Sequence, residues 1–337
     1  MELVRLAANK LKVSSLPLWF WQLPKLSWLA LAGNDYSAEG TDLDGTSPVH
    51  EEVAVCNIDW TSLDIKEKLG EGASGVIYKA KWLRTENSTA DGKDDEYVAV
   101  KLFKGGKTSD GLPEDEMKAS EAAGSHTCSL KVLGRIVNAP GNQIGLVMQL
   151  ISKEFANLGG PPSFESVTRD TFESGTAFSV QVILNILSGI ASVCSHLHNK
   201  GITHGDVYAH NILFNSEGEP LLGDFGAASI HSKSLVFTES PSTGDSCNNI
   251  CAAMERFEVR AFGCLIDDLI TRVSDEAVNG SDDSEGNISK SSSIECNVIA
   301  SLRSLHASCI NCEPRKRPTF AHISDCLAAI KSSHTTH

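Results

Sequence analysis

The strongest constraint on this chain is the stretch between Phe178 and Gly226, where an apolar helix pattern leads into a run of polar side chains. The segment VQVILNILSGIASVCSHLH repeats apolar residues at helical spacing and predicts a buried helix. The run HGDVYAHN follows, and Asp224-Phe225-Gly226 comes after a short hairpin-like stretch. Taken singly, Asp206 could cap a turn and Asp224 could be an ordinary loop acid. The interpretation therefore depends on the other motifs that accompany them in the chain.

A glycine-rich motif, GEGASGV, lies between two strand patterns. Its spacing fits G-x-G-x-x-G-x-V, in which glycines let the backbone approach phosphates without a Cβ in the way. A dinucleotide site uses similar glycines but requires a helix immediately afterwards. A strand pattern follows here, so we predict a hairpin. The motif residues are Gly70, Gly72, Gly75 and Val76.

A lysine, Lys101, lies inside the apolar strand pattern YVAVKLF, where its ammonium needs an anionic partner. The segment PEDEMKASEAA, Pro113 to Ala123, is typical of a helix with proline near its start. Glu116 is the expected partner, and Glu121 is the alternative.

In this order the motifs resemble those of the protein kinase family: glycine loop, strand lysine, catalytic loop H-R-D-x-x-x-x-N, and D-F-G. The resemblance implies an α+β, two-lobed protein-kinase fold over residues 62–331. An antiparallel-sheet N-lobe with one helix would occupy 62–151, and a mainly helical C-lobe 152–331. It also implies an enzyme that uses ATP and Mg²⁺ to transfer the γ-phosphate to a hydroxyl of an unidentified protein substrate, with serine/threonine specificity.

The resemblance further implies a role for each site residue. Asp206 would accept the proton of the attacking hydroxyl, and Lys101, held by Glu116, would grip the α- and β-phosphates. Asn211 and Asp224 would hold magnesium. The expected nucleotide contacts are Leu69, Gly70, Gly72, Gly75, Val76, Ala99, Lys101, Met148, Gln149, Ile151 and Leu213.

Several positions depart from the family pattern. Gly205 replaces the catalytic-loop arginine and Tyr208 replaces the lysine of serine/threonine kinases, while His210 lies where tyrosine-kinase-like enzymes supply a cation. Arg317, in CEPRKRPT, matches an arginine that secures the activation segment, yet the Ala-Pro-Glu end of that segment is reduced to Ala253–Glu255. These departures leave a pseudokinase as the alternative: an ATP-binding regulatory scaffold with little or no turnover.

Residues 1–36 contain an internal repeat, because LVRLAANKL recurs as LSWLALAGN. The repeat resembles a leucine-rich repeat, in which leucines enter the core and an asparagine bonds to backbone; an amphipathic hairpin or a loose apolar arm is the alternative. Such units need about three neighbours, so we expect this fragment to pack on the kinase domain or to belong to a longer array. With the kinase motifs, it resembles plant cytoplasmic leucine-rich-repeat kinases. A further alternative makes the repeat the functional part. The acidic stretch 37–61 is predicted to be a linker.

Composition narrows the class of partner. The net charge of −14 argues against a general nucleic-acid binder, because phosphate contacts need a basic face. The N-terminal apolar patches are interrupted before they reach the roughly 18 residues of a membrane span. We therefore predict no membrane span and a cytoplasmic protein.

Overall fold

The N-terminal segment forms two short parallel strands joined by 3₁₀ turns in the computed structural model, which describes residues 1–36, 56–83, 96–108, 110–163, 165–166, 169–231, 249–274 and 290–335. Strand β1 (Leu3–Arg5) pairs with β2 (Trp28–Ala30), with Leu3 opposite Trp28. The Asn34 side chain accepts from Leu11 N–H at 3.0 Å and donates to Leu6 O at 2.9 Å. Each of the two similar sequence stretches thus contains one short strand, and Asn34 of the second bonds to backbone. We call residues 1–36 the repeat segment.

A six-stranded sheet and one helix follow. The sheet order is β3-β7-β8-β6-β5-β4, and every neighbouring pair is antiparallel except β3 and β7. Helix α1 covers Pro113–Ala123 and begins with proline and three acidic residues, which suit the N-terminal end of a helix. The strands are β3 (Cys56–Asp59), β4 (Leu63–Glu71), β5 (Gly75–Trp82), β6 (Glu96–Phe103), β7 (Val132–Val137) and β8 (Gly145–Gln149).

Strand β3 corrects the predicted linker. The acidic composition of 37–61 suggested a linker throughout, but Ile58 is buried in the sheet and aligns with Ile136 of β7. Apolar burial and ladder hydrogen bonds therefore outweigh local composition at this end. The remainder of the predicted linker, 37–55, lies outside the described residues.

Helices dominate the second half of the chain. Helix α2 (Val180–Asn199) begins at Ser179, whose Oγ accepts from Val182 N–H, and it is the central buried helix. Its length and apolar composition would suffice to cross a membrane, although it lies against the helices of this lobe. The other elements are β9 (Ala156–Asn157), β10 (Ile202–Thr203), β11 (Ile212–Phe214), β12 (Pro220–Leu222), β13 (Ser229–Ile230), α3 (Ile250–Ile270), α4 (Lys290–Cys309) and α5 (Phe320–Thr335).

The predicted α+β composition, with a sheet-rich N-terminal part and a helical C-terminal part, is confirmed. Separate apolar clusters fill the two parts: Val98, Val100 and Val147 lie in the sheet's cluster, and α2 dominates the helical one. Strands β10 and β12 lie beside α2, and the loops that follow them carry Asp206 and Asp224.

Candidate active site

The glycine motif forms a hairpin between β4 and β5. Gly72 N–H donates to Gly75 O at 2.9 Å across the turn, and Gly70 aligns with Ile77. A Cβ on Gly75 would lie 2.6 Å from Leu102 O, so the close approach of β6 requires glycine there. The strand that follows excludes the strand-to-helix turn of a dinucleotide site, as the sequence predicted.

Lys101 of β6 forms a buried ion pair with Glu116 of α1. Lys101 is 8% exposed and Glu116 is 4% exposed, so both charges depend on one another for compensation. Burial raises the pKa of Glu116, and the Lys101 ammonium opposes that rise. The alternative partner, Glu121, instead pairs with Arg135 at 2.5 Å.

Asp224 enters the same cleft from the other lobe. Lys101, Glu116 and Asp224 line one cavity, although they are far apart in sequence. Asp224 adopts a left-handed backbone (φ +52°), and its Oδ1 accepts from Gly226 N–H at 3.1 Å. Phe225 also lines this cavity, and its buried ring packs edge-on against His204 with ring centroids 4.9 Å apart. The cleft thus has a cation on one wall and a carboxylate on the other.

Backbone and side-chain hydrogen bonds join the catalytic loop to the Asp224 segment. Asn211 Nδ2 donates to Asp206 O at 3.1 Å, and Asn211 O accepts from Gly223 N–H at 2.9 Å. His204 Nε2 lies 2.9 Å from Gly223 O. Asp206, Asn211 and Asp224 are therefore held in one network.

Gly205 has a structural role of its own. Its backbone is left-handed (φ +84°), and a Cβ there would lie 2.6 Å from Ala227 O. Its N–H donates to Oε1 of Glu258 in α3 at 2.5 Å, so the loop is fixed to the central helix. The family's arginine does not fit this conformation.

His210 of the catalytic loop connects Asp206 in the same loop with Asp170, which lies 40 positions before His210. Its Nδ1 lies 2.7 Å from Asp170 Oδ1, and its Nε2 lies 3.4 Å from Asp206 Oδ2. Burial alone would lower the pKa of His210, but the hydrogen bonds to Asp170 and Asp206 outweigh it and raise the pKa to about 10. His210 is therefore an imidazolium at neutral pH. Asp170 was missed in the sequence, because a lone loop aspartate has no local signature.

Asp206 is suited to accept a proton. Burial raises the pKa of its carboxyl, and bonds to His210 partly offset that rise. Its Oδ2 faces His210, while its Oδ1 is buried without a hydrogen-bond partner among the described residues. A buried acceptor of this kind is costly unless a donor, such as a substrate hydroxyl, completes it.

A second, mainly apolar cavity adjoins the first and contains most of the predicted nucleotide contacts. Ile77 lines it, whereas Val76, which was predicted, does not. Successive residues of a strand point to opposite faces of the sheet. Ile77 pairs with Lys101 across β5 and β6, so the two side chains lie on the same face. Counting two positions beyond Gly75 would have identified Ile77. Leu130 also lines the cavity, and it belongs to no motif that would have identified it. The predicted residues that line this cavity are Leu69, Ala99, Met148, Gln149, Ile151 and Leu213.

The donor set fits the expected cofactors. An Asp224 carboxylate and an Asn211 amide oxygen are hard ligands of the kind that magnesium accepts alongside phosphates. The apolar cavity suits a purine, and Lys101 lies where the phosphates of such a nucleotide would extend.

Comparison with known proteins places this geometry in a family. Residues 63–327 match the sequence model of the protein tyrosine and serine/threonine kinase family. Cyclin-dependent kinase 11B of Mus musculus is 24% identical over 61% of this chain, and the match covers 24% of that protein. A probable serine/threonine-protein kinase of Dictyostelium discoideum is 26% identical over 79% of the chain and 16% of its own length.

A third relative, the sporulation protein kinase mde3 of Schizosaccharomyces pombe, is 31% identical over 53% of the chain and 31% of its own length. The chain therefore spans less than a third of each of these three relatives. The family match covers most of the chain and includes Lys101, Glu116, the catalytic loop and Asp224. The chain belongs to the protein tyrosine and serine/threonine kinase family.

Proposed function

We propose that this protein is an ATP- and Mg²⁺-dependent protein kinase that transfers the γ-phosphate to a serine or threonine hydroxyl of a protein. The observation that carries the proposal is the convergence of Lys101, paired with Glu116, and Asp224 on one cavity. The named kinase relatives support serine/threonine specificity.

The chain's own groups divide the chemistry. Glu116 holds Lys101 at the wall of the cleft, where its ammonium would contact the nucleotide phosphates. Asn211 and Asp224 would hold magnesium, which supplies positive charge against the phosphates. Asp206 Oδ1 would accept the proton of the acceptor hydroxyl, and the His210 imidazolium keeps the other carboxylate oxygen oriented.

Two substitutions test the proposal. Asp206→Asn should retain ATP binding and lose phosphotransfer, because the amide cannot accept the proton. Lys101→Met should weaken ATP binding and also lose phosphotransfer. Transfer of radiolabelled phosphate from ATP to a generic protein acceptor measures phosphotransfer, and calorimetry measures nucleotide binding. Turnover that survives Asp206→Asn would contradict the assigned role.

The alternative is a pseudokinase scaffold, and the Tyr208 position favours it. Tyr208 is 1% exposed and its hydroxyl donates to Ser27, so the place of the family's lysine holds a buried neutral group. ATP binding by the wild-type protein without any transfer would support the scaffold and refute the enzyme.

We also propose that the repeat segment is a leucine-rich-repeat fragment of a cytoplasmic protein. The parallel pairing of β1 with β2 and the Asn34 hydrogen bonds support this interpretation. A Leu6→Pro substitution should destabilise the segment, since proline removes the N–H that donates to Ala30 O at 2.9 Å across the two strands. An unchanged proteolysis pattern would contradict the repeat.

A further inference from the structure

The repeat segment is docked on the helical lobe through core-like contacts. Trp21 stacks on Phe257 of α3 with ring centroids 6.2 Å apart. Leu26 and Leu31 are fully buried in the same cluster as Met254. The contact therefore resembles the packing within a domain rather than a transient association.

Arg317 binds the repeat segment instead of the end of the activation segment. The family resemblance implied that Arg317 secures the activation segment. Its buried guanidinium instead donates to the carbonyls of Pro24 at 2.6 Å, Arg256 at 2.9 Å and Asn311 at 2.9 Å. Glu255 lies within α3 and accepts from Phe320 N–H.

The docked segment also touches the catalytic loop directly. Tyr208 Oη donates to Ser27 Oγ at 2.9 Å. The Trp28 ring lies 5.4 Å from the Tyr208 ring and 5.8 Å from the His210 ring. His210 in turn faces Asp206, the proposed proton acceptor. Trp28 therefore supports Asp206 indirectly, through His210.

A third set of contacts reaches the sheet-rich lobe and the segment after Asp224. Arg5 pairs with Asp110, just before α1, at 3.2 Å. Lys107 Nζ donates to Ala8 O at 3.0 Å, and Ala32 packs in a small apolar cluster with Ala227. One short segment thus contacts the catalytic loop, the segment after Asp224 and the loop between β6 and α1.

We propose that the repeat segment acts as a built-in positioning element for phosphotransfer, with Trp28 and Ser27 as positioning residues for the catalytic loop. This inference depends on the proposed function. A removable cover is the competing interpretation, but undocking would expose the fully buried Leu26 and Leu31. The Asp206 side chain as a whole also keeps 13% exposure with the segment in place.

The test uses tryptophans of the same segment. Trp28→Ala removes the ring beside His210, Trp28→Phe retains an aromatic face, and Trp19→Ala is the matched control because Trp19 is 60% exposed. Trp28→Ala should lower kcat about tenfold or more while the KM for ATP changes less than about twofold, since the loop moves and the nucleotide cavity does not. Trp28→Phe should restore much of the rate, and Trp19→Ala should match the wild type.

Amide hydrogen exchange across residues 204–211 supplies a readout that does not need turnover. Exchange should accelerate in Trp28→Ala and remain unchanged in Trp19→Ala. Unchanged exchange in Trp28→Ala would overturn the proposal, and so would a rise in its kcat, which would identify a cover. If the wild-type protein transfers no phosphate, the proposed kinase activity fails, while the exchange comparison still decides whether Trp28 positions the loop.

Discussion

Glu116→Gln is the substitution whose effect the structure predicts most sharply. The change removes one charge of a pair whose side chains are only 11% and 5% exposed. Removing one partner of a buried ion pair costs about 3–5 kcal/mol, because the other charge remains uncompensated. Glutamine keeps an acceptor oxygen and removes the carboxylate's own desolvation cost, so we expect the lower end, about 3 kcal/mol.

Glu121→Gln is the control, since it lies on the same helix and also breaks an ion pair. The Glu121 side chain is 11% exposed, but that of Arg135, its partner, is 42% exposed, so water can hydrate the arginine charge that the substitution leaves behind. Exposed pairs contribute about 0.2–1 kcal/mol. The two variants should therefore differ by about 2 kcal/mol in the free energy of unfolding.

Urea denaturation followed by circular dichroism measures that difference at pH 7. Nucleotide binding gives a second readout, because only Glu116→Gln releases the Lys101 ammonium from its position. Equal stability losses in the two variants, or unchanged ATP affinity in Glu116→Gln, would refute the inference that this buried pair organises the cleft.

Three further outcomes follow from the site. His210 has a folded-state pKa of about 10, above its usual value. Its contribution to stability should therefore be complete below about pH 6.5 and be lost as the pH rises towards 10. In urea melts, the difference in stability between the wild type and His210→Gln should shrink over that pH range, and a constant difference would contradict the prediction. Gly205→Ala should cost more than about 1 kcal/mol because of the left-handed backbone and the 2.6 Å approach to Ala227 O; a melting temperature equal to that of the wild type would exclude this strain. Ile77→Ala should weaken ATP binding severalfold while Val76→Ala should not, as calorimetry can measure; the reverse order would restore the original assignment.

The charges of the site were predictable because each comes with a local signature. Lys101 interrupts a strand of apolar residues, and Asp206 and Asn211 keep a fixed spacing in one loop. Glu116 was harder, since several acids share its helix and only the folded arrangement separates it from Glu121. Such signatures identify the side chains of the site. They are less informative about which residue each side chain pairs with in the fold.

Positions that depend on strand register or distant contacts could not be predicted in the same way. The choice of Val76 was a count one position short of the last motif residue, Ile77, and in a strand that one position exchanges the cavity face for the opposite face. Ser27 and Tyr208 are separated by 181 positions, and no periodicity links them. The pairing of β3 with β7 likewise depends on a partner far along the chain.

The hydrogen bond between Arg317 and Pro24 O has a consequence for the order of assembly. It joins residues 293 positions apart in the sequence. Trp21 and its stacking partner Phe257 are likewise far apart in the sequence. Long-range closures of this kind slow folding, because chain entropy is lost before the contact forms. On the ribosome, residues 1–36 emerge before the helices on which they pack, so their apolar side chains stay exposed until those helices have been synthesised and chaperones can bind them in that interval.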